Sequence, residues 1–232
     1  MKSLFRSDNI EVEQAYIITI KGNDKSEQMA DRCARSCDAV GMPYSRWDAF
    51  DGTRPGEIVV PHHSKHETIA NIVKVTDHYL TRGEVACALS HISLWVHCAM
   101  IDRPIVIFEH DAVMLEKFTH HATYNSIVYL GGSEWVKDGW PITVIPPHGS
   151  DGPNYHFICR AHAYSIDPVM AKNLISHVLK MGIHAPLDIM MRADLFNITH
   201  QGVFAYDESE GTTIKNRPNT GRTTERNDKL MN

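Results

Sequence analysis

The chain has 232 residues, of which 43% are hydrophobic and 22% charged, and its formal net charge is −5 at pH 7. This composition is typical of a globular protein with a sizeable core and excludes a chain that is disordered throughout. The acidic balance argues against a strongly basic protein that wraps nucleic acid.

No apolar run approaches the roughly 20 residues that cross a bilayer, so we expect no transmembrane segment. The N-terminal sequence MKSLFRSDN lacks the apolar centre of a signal peptide, which predicts a cytoplasmic protein. The five cysteines are odd in number and form no CxxC pair, so reduced thiols are expected.

The first fifty residues predict a β-α-β unit. Residues 15–20 (AYIITI) read as a buried strand, and Asp24 with Glu27 has the spacing of a capping box. The helix that follows is expected to end at Gly41, and residues 44–50 read as a second strand. Its inner face is predicted to carry Met29, Cys33 and Cys37.

Residues 53 to about 78 show no clear periodicity and predict a long loop of the kind that is often functional. Its three histidines, His62, His63 and His66, have no cysteine near them in sequence. We expect them to be solvated rather than to bind zinc.

A second capping box, Thr81 with Glu84, predicts a helix from residue 82 to about 100. A buried strand at 105–108 follows. Further elements are expected as strands at 126–130, 142–145 and 161–166, a helix from 167 to 182, a short helix at 186–195 and a last strand at 198–206. Strands that alternate with helices predict an α/β fold with a mostly parallel sheet.

The strand at 105–108 runs directly into Glu109, His110 and Asp111. Ligands of open α/β sheets bind beyond the carboxyl ends of strands, and Glu109 and Asp111 alternate, so they should point the same way. Carboxylate oxygens suit magnesium or manganese. A solvated strand end followed by an aspartate turn explains the same tripeptide.

Residues 80–95 (LTRGEVACALSHISLW), followed by IVIFEHDAVML, resemble glycosyltransferase family 25, the lipooligosaccharide and collagen galactosyltransferase type. The residues that fall on the family pattern are Glu84, Cys87, Ser90, His91, Leu94 and Trp95. Weaker similarity extends through residues 163–175, 185–191 and 207–214.

The resemblance implies a single GT-A-like nucleotide-binding catalytic domain at 1–206, with a flexible loop at about 53–78 and a polar, basic tail at 207–232. It also implies a metal-dependent, inverting hexosyl- or pentosyltransferase that uses a nucleotide-sugar donor, usually UDP-galactose. The implied metal site, for Mn²⁺ or Mg²⁺, comprises Asp111, Glu109 and His110. The implied donor-binding residues are Thr19, Lys21, Glu84, Ser90, His91 and Glu109.

The similarity of residues 185–191 places Asp188 on a later aspartate of the family. Asp188 is the candidate catalytic base, because it lies at the start of a predicted helix far along the chain, where residues that contact the acceptor would come from. In that role it would take the proton from the acceptor hydroxyl. An acid at a helix start, stabilised by the helix dipole, is the alternative explanation of Asp188.

The chain departs from the family at the acidic motif, where the family's EDD is EHD, and Thr19 stands at an asparagine position. A catalytically inactive module that binds a sugar nucleotide is therefore the alternative function. The acceptor is expected to be a glycan such as a lipooligosaccharide core. A hydroxymethylated base in viral DNA is a variant, suggested by the basic residues of 212–232. The sequence makes no prediction of the oligomeric state.

Overall fold

The computed structural model describes residues 12–54, 73–77, 80–119, 126–131 and 161–207. The predicted strand at 142–145, most of the predicted loop at 53–78, and the tail after Asp207 lie outside the described residues. The elements in chain order are β1 Ala15–Thr19, α1 Asp24–Val40, β2 Tyr44–Asp48, α2 Arg82–Ile101, β3 Ile105–Glu109, β4 Ala112–Met114, β5 Ile127–Gly131, β6 Ala163–Ile166, α3 Pro168–Met181, α4 Leu187–Met190 and β7 Ile198–Asp207.

The strands form one seven-stranded sheet in the order β2-β1-β3-β6-β5-β7-β4. β1 is parallel to β2 and β3, and β5 is parallel to β7. β6 is antiparallel to both β3 and β5, and β4 is antiparallel to β7. The α/β class is confirmed, but the sheet is mixed rather than mostly parallel, because three of its strand pairs are parallel and three are antiparallel.

The parallel pairing of β1 with β2 follows from the connection between them. A parallel pair needs a crossover connection, usually a helix, and α1 supplies it. β3, by contrast, passes to β4 through a short turn at His110 and Asp111.

Helices cover both faces of the sheet. On one face, α1 buries the predicted thiols Cys33 and Cys37 against alternate strand residues such as Val106 and Phe108. On the other face, α2 and α3 pack on the intervening residues, such as Ile105 and Ile107. Because alternate side chains of a strand point to opposite faces of the sheet, each strand contributes to two separate apolar layers.

The start of α1 differs from the prediction by one residue. Asn23 is the N-cap, and its side chain accepts a hydrogen bond from the backbone N–H of Ser26 at 3.0 Å. Glu27 accepts from the backbone N–H of Gly22 at 2.8 Å, so it closes the turn before the cap rather than pairing with Asp24. The end at Gly41 is confirmed, with the left-handed φ of 68° that favours glycine.

Helix α2 is the core helix of the second face. Its capping box is confirmed, because Thr81 accepts from the Glu84 N–H and Glu84 accepts from the Thr81 N–H. Among the described helices, it alone has the length and composition to cross a bilayer, but 61% of its apolar window is buried inside the fold. Trp95, near its middle, is fully buried.

The last part of the predicted loop, residues 73–77, is attached to the end of α3. Val75 forms a parallel bridge with Ile183, and the Ile183 N–H donates to the Lys74 carbonyl at 2.7 Å. α3 begins with Asp167 as N-cap and ends at Gly182, as predicted. The short helix expected at 186–195 is α4, which covers only Leu187–Met190.

Candidate active site at the carboxyl end of β3

The acidic tripeptide divides between the two faces of the sheet. Glu109, the last residue of β3, faces α2, while His110 faces α1, where its Nδ1 lies 3.1 Å from the Ser26 hydroxyl. Burial lowers the pKa of His110, although the charge of Glu109 opposes this. Consecutive strand residues point to opposite faces, so Glu109 and His110 are not directed at one common ion.

Glu109 is held by two side chains of α2. Its Oε1 lies 3.3 Å from His91 Nε2 and accepts from the Cys87 thiol at 3.7 Å. Cys87 and His91 are four residues apart, so they share one helix face. The Glu109 side chain keeps 29% of its surface exposed, whereas His91 is fully buried. The Glu109 carboxylate is therefore held by Cys87 and His91 on its buried side and is exposed to solvent on the other side.

Behind His91 lies a buried polar network. The Tyr164 hydroxyl is 2.8 Å from His91 Nδ1 and accepts a hydrogen bond of 2.8 Å from Trp95 Nε1. An indole N–H only donates, so the tyrosine proton remains available to His91 Nδ1. Burial raises the pKa of Tyr164 well above its usual value, which keeps the hydroxyl neutral. The network fixes the orientation of the imidazole next to Glu109.

The electrostatics favour an ionised Glu109. Burial works against ionisation, but the adjacent His91, together with the charges of His110 and His162, outweighs it and lowers the pKa of Glu109. An acid whose pKa is lowered stays charged at neutral pH and attracts cations.

Two further carboxylates, besides that of Glu109, raise the pKa of the Cys87 thiol. The pKa of the Cys87 thiol is raised well above its usual value, first by burial and then by the charges of Glu109, Asp188 and Asp111. Asp111 lies in the turn after β3, and Asp188 in the first turn of α4. Residues from three parts of the chain therefore make this edge of the sheet acidic.

The fold already uses three of the predicted donor-binding residues. The buried Thr19 hydroxyl donates to the Ile17 carbonyl at 3.1 Å. The Ser90 hydroxyl accepts from the Phe50 N–H at 2.9 Å and donates to the Ala86 carbonyl at 2.8 Å. Glu84 caps α2. Lys21, by contrast, lies on the surface, with 78% of its side chain exposed and its Nζ 4.0 Å from an Asp48 oxygen.

The model of glycosyltransferase family 25, described as an LPS biosynthesis protein, matches residues 12–138, which is more than half of the chain. The chain belongs to glycosyltransferase family 25. A search of the curated proteins found no match. The family makes this chain a glycosyltransferase and supports a role in lipopolysaccharide biosynthesis.

The matched segment of this family 25 chain carries Cys87, His91 and Glu109, while Tyr164 and Asp188 lie beyond it. Sequence reasoning gave Cys87 no role, although its spacing of four from His91 was visible. Tyr164 lies in the weaker similarity at residues 163–175 but received no role, because only the antiparallel pairing of β6 with β3 places it opposite Ile107 and beside His91.

Proposed function

We propose that this chain transfers a sugar from a nucleotide-sugar donor, UDP-linked, to a hydroxyl of a glycan such as a lipooligosaccharide core. The observation that carries the proposal is the half-open Glu109 at the carboxyl end of a central strand, inside the segment that matches the family. We further propose a GT-A-like domain, an inverting reaction and a cytoplasmic location.

We propose that Glu109 and Asp111 hold the divalent cation, Mn²⁺ or Mg²⁺. The donor set fits a hard cation, because Glu109 is ionised, partly exposed and close to further negative charge. When bound, the cation would neutralise charge that develops on the departing diphosphate. His110 is left out of this set, because its ring lies against Ser26 on the other face.

Asp188 is proposed as the general base. It is half-buried at the start of α4, and its neighbours Leu187 and Met190 belong to the same buried cluster as α2, so α4 lies on the face of the sheet toward which Glu109 points. Its carboxylate would take the proton of the acceptor hydroxyl while that oxygen bonds to the anomeric carbon and the bond to the diphosphate breaks.

Lys21 is proposed to bind the donor diphosphate. It follows β1, the strand that pairs with β3, and its ammonium group is exposed. Four other predicted donor-binding residues would shape the donor site indirectly, because their polar groups are buried or hydrogen-bonded within the fold. These residues are Thr19, Glu84, Ser90 and His91.

The test is mass spectrometry of products from a panel of nucleotide sugars offered with glycan and hydroxymethylated DNA acceptors. We expect a glycan product with the wild-type chain and none with Asp188→Asn, which keeps the shape of the side chain without its basicity. Stabilisation by UDP and Mn²⁺ without any product would favour the alternative of an inactive binding module. If UDP and Mn²⁺ gave no stabilisation and no product formed, the proposal would be overturned.

A DNA acceptor is the weaker variant, since it depends on basic residues at 212–232, outside the described residues. Neutralising phosphates makes binding fall steeply with salt. Affinity for a neutral glycan that hardly responds to salt, with no affinity for DNA at low salt, would eliminate the DNA variant. DNA binding that weakens and loses salt dependence when 212–232 is deleted would favour it.

A further inference from the structure

Three different metal-binding groups converge on the α2 side of β3. Cys87 Sγ, His91 Nε2 and a carboxylate oxygen of Glu109 all lie within 4.8 Å of one another. The thiol and the imidazole come from one helix face, and the carboxylate from the adjacent strand end. This set contains one sulfur, one nitrogen and one oxygen, so it differs from the all-oxygen set that magnesium or manganese prefers.

His91 Nε2 lacks a hydrogen-bond partner among the described residues, although the residue is fully buried. Its contact with Glu109 Oε1, at 3.3 Å, is longer than the usual N–H···O hydrogen bond of about 2.9–3.0 Å, although it is short enough for His91 to influence the pKa of Glu109. Buried polar atoms are normally satisfied by protein, water or an ion. The nitrogen is directed into the cluster, so a ligand between the three groups would satisfy it.

The spacing of Glu109 Oε1 from the nitrogen and from the sulfur matches a tetrahedral ion, and the nitrogen and the sulfur lie within 4.8 Å of each other. With zinc bonds of about 2.0–2.1 Å to nitrogen and oxygen and about 2.3 Å to sulfur, tetrahedral angles separate nitrogen from oxygen by about 3.3 Å and sulfur from oxygen by about 3.6 Å. The corresponding distances here are 3.3 Å from His91 Nε2 to Glu109 Oε1 and 3.7 Å from Cys87 Sγ to the same oxygen. The three groups could bind an ion with little movement.

We propose that Cys87, His91 and Glu109 form a three-ligand site for a borderline-soft divalent cation of the zinc type, with a fourth position open on the exposed side of Glu109. The Cys87 thiol would lose its proton to solvent on binding. His91 would change tautomer, losing the Nε2 proton and carrying one on Nδ1, so that the Tyr164 hydroxyl would accept a hydrogen bond from His91 instead of donating one. Such an outer contact orients metal-bound histidines.

Binding at this site does not require the transfer reaction, but the site shares Glu109 with the Mn²⁺ or Mg²⁺ site proposed above. Zinc and manganese would therefore compete for the protein. A zinc-type ion here would be present whether or not the chain transfers a sugar, so the experiment reads metal binding and not activity.

The experiment is a Co²⁺ titration of the metal-free full chain, followed by absorption spectroscopy. We expect intense visible bands from tetrahedral Co²⁺ and a near-ultraviolet sulfur-to-cobalt charge-transfer band, both removed by Zn²⁺. Cys87→Ser should abolish the charge-transfer band and weaken binding about tenfold or more. Glu109→Gln should keep the band but weaken binding, because it removes a charged ligand and leaves the thiolate.

Cys98→Ser is the matched control. Cys98 lies on the same helix, and its thiol donates to the carbonyls of Arg103 and Ile166, bonds that a serine hydroxyl can also make. This variant should bind Co²⁺ with the wild-type spectrum. Co²⁺ that binds without a sulfur band would indicate other histidines of the chain and overturn the inference. An unchanged spectrum in a folded Cys87→Ser protein, or no Co²⁺ binding at all, would overturn it equally.

Discussion

The imidazole of His91 and the ring of Tyr164 stack with their planes 12° apart, and the Tyr164 hydroxyl lies 2.8 Å from His91 Nδ1. The two residues belong to α2 and β6, and the Trp95 indole completes the contact by donating to the same hydroxyl. These buried contacts with Tyr164 and Trp95 hold the His91 imidazole in the orientation in which it contacts Glu109.

Tyr164→Phe should destabilise the protein by about 1–3 kcal/mol, because it leaves two buried polar groups, of Trp95 and His91, without their partner. Urea unfolding measures the loss. Tyr16→Phe is the control, since the Tyr16 hydroxyl contacts His97 Nε2 at 2.7 Å and His97 is only half-buried, so a single, less buried partner loses its contact. Equal losses in the two variants would contradict the role given to the buried network.

Glu84→Gln should leave stability within about 0.5 kcal/mol of the wild type, because glutamine also completes a capping box. Thr81→Ala should cost about 1 kcal/mol, since it removes the hydroxyl that accepts from the helix N-terminus. The two unfolding free energies decide whether Glu84 acts through the cap. A stable Glu84→Gln protein with lost donor affinity would instead show that the charge of Glu84 serves the donor.

Asp111→Asn should abolish transfer at saturating Mn²⁺ and leave the fold intact, because the amide keeps the shape but loses the charge that attracts the cation. His110→Ala should have the milder effect on transfer, since His110 packs against Ser26 on the opposite face. Product formation and melting temperature are measured for both. Full activity in Asp111→Asn would remove the metal site from this position.

Stability should fall as pH drops below about 6.5, because burial lowers the pKa of His200 below that ordinary value. The unfolded chain then binds a proton that the native state resists, so acid favours unfolding. Burial likewise lowers the pKa values of His97, His110 and His177.

The check is urea unfolding at about pH 7.5 and about pH 5.5. His200→Gln keeps an N–H donor for the Gly131 carbonyl, which lies 3.0 Å from His200 Nε2, and it does not titrate. This variant should lose less stability on acidification than the wild type. The same loss in both proteins would show that His200 does not contribute.

Local signals in the sequence determined most of the elements. The capping box at Thr81 and Glu84, the glycine at 41 and the Asp167-Pro168 start each act within one turn of helix, so their neighbours in sequence are their neighbours in space. The family motif determined the class of protein in the same way, because its residues lie on one helix and the strand that follows.

Tertiary structure alone decided how the candidate site is assembled. Tyr164 meets His91 across 73 positions of sequence because β6 pairs antiparallel with β3, an order that strand periodicity does not encode. The packing of α4 against α2 likewise places Asp188, in the first turn of α4, on the α2 side of the sheet. Periodicity predicts which face of an element is buried, but which partner covers that face depends on the arrangement of the whole sheet.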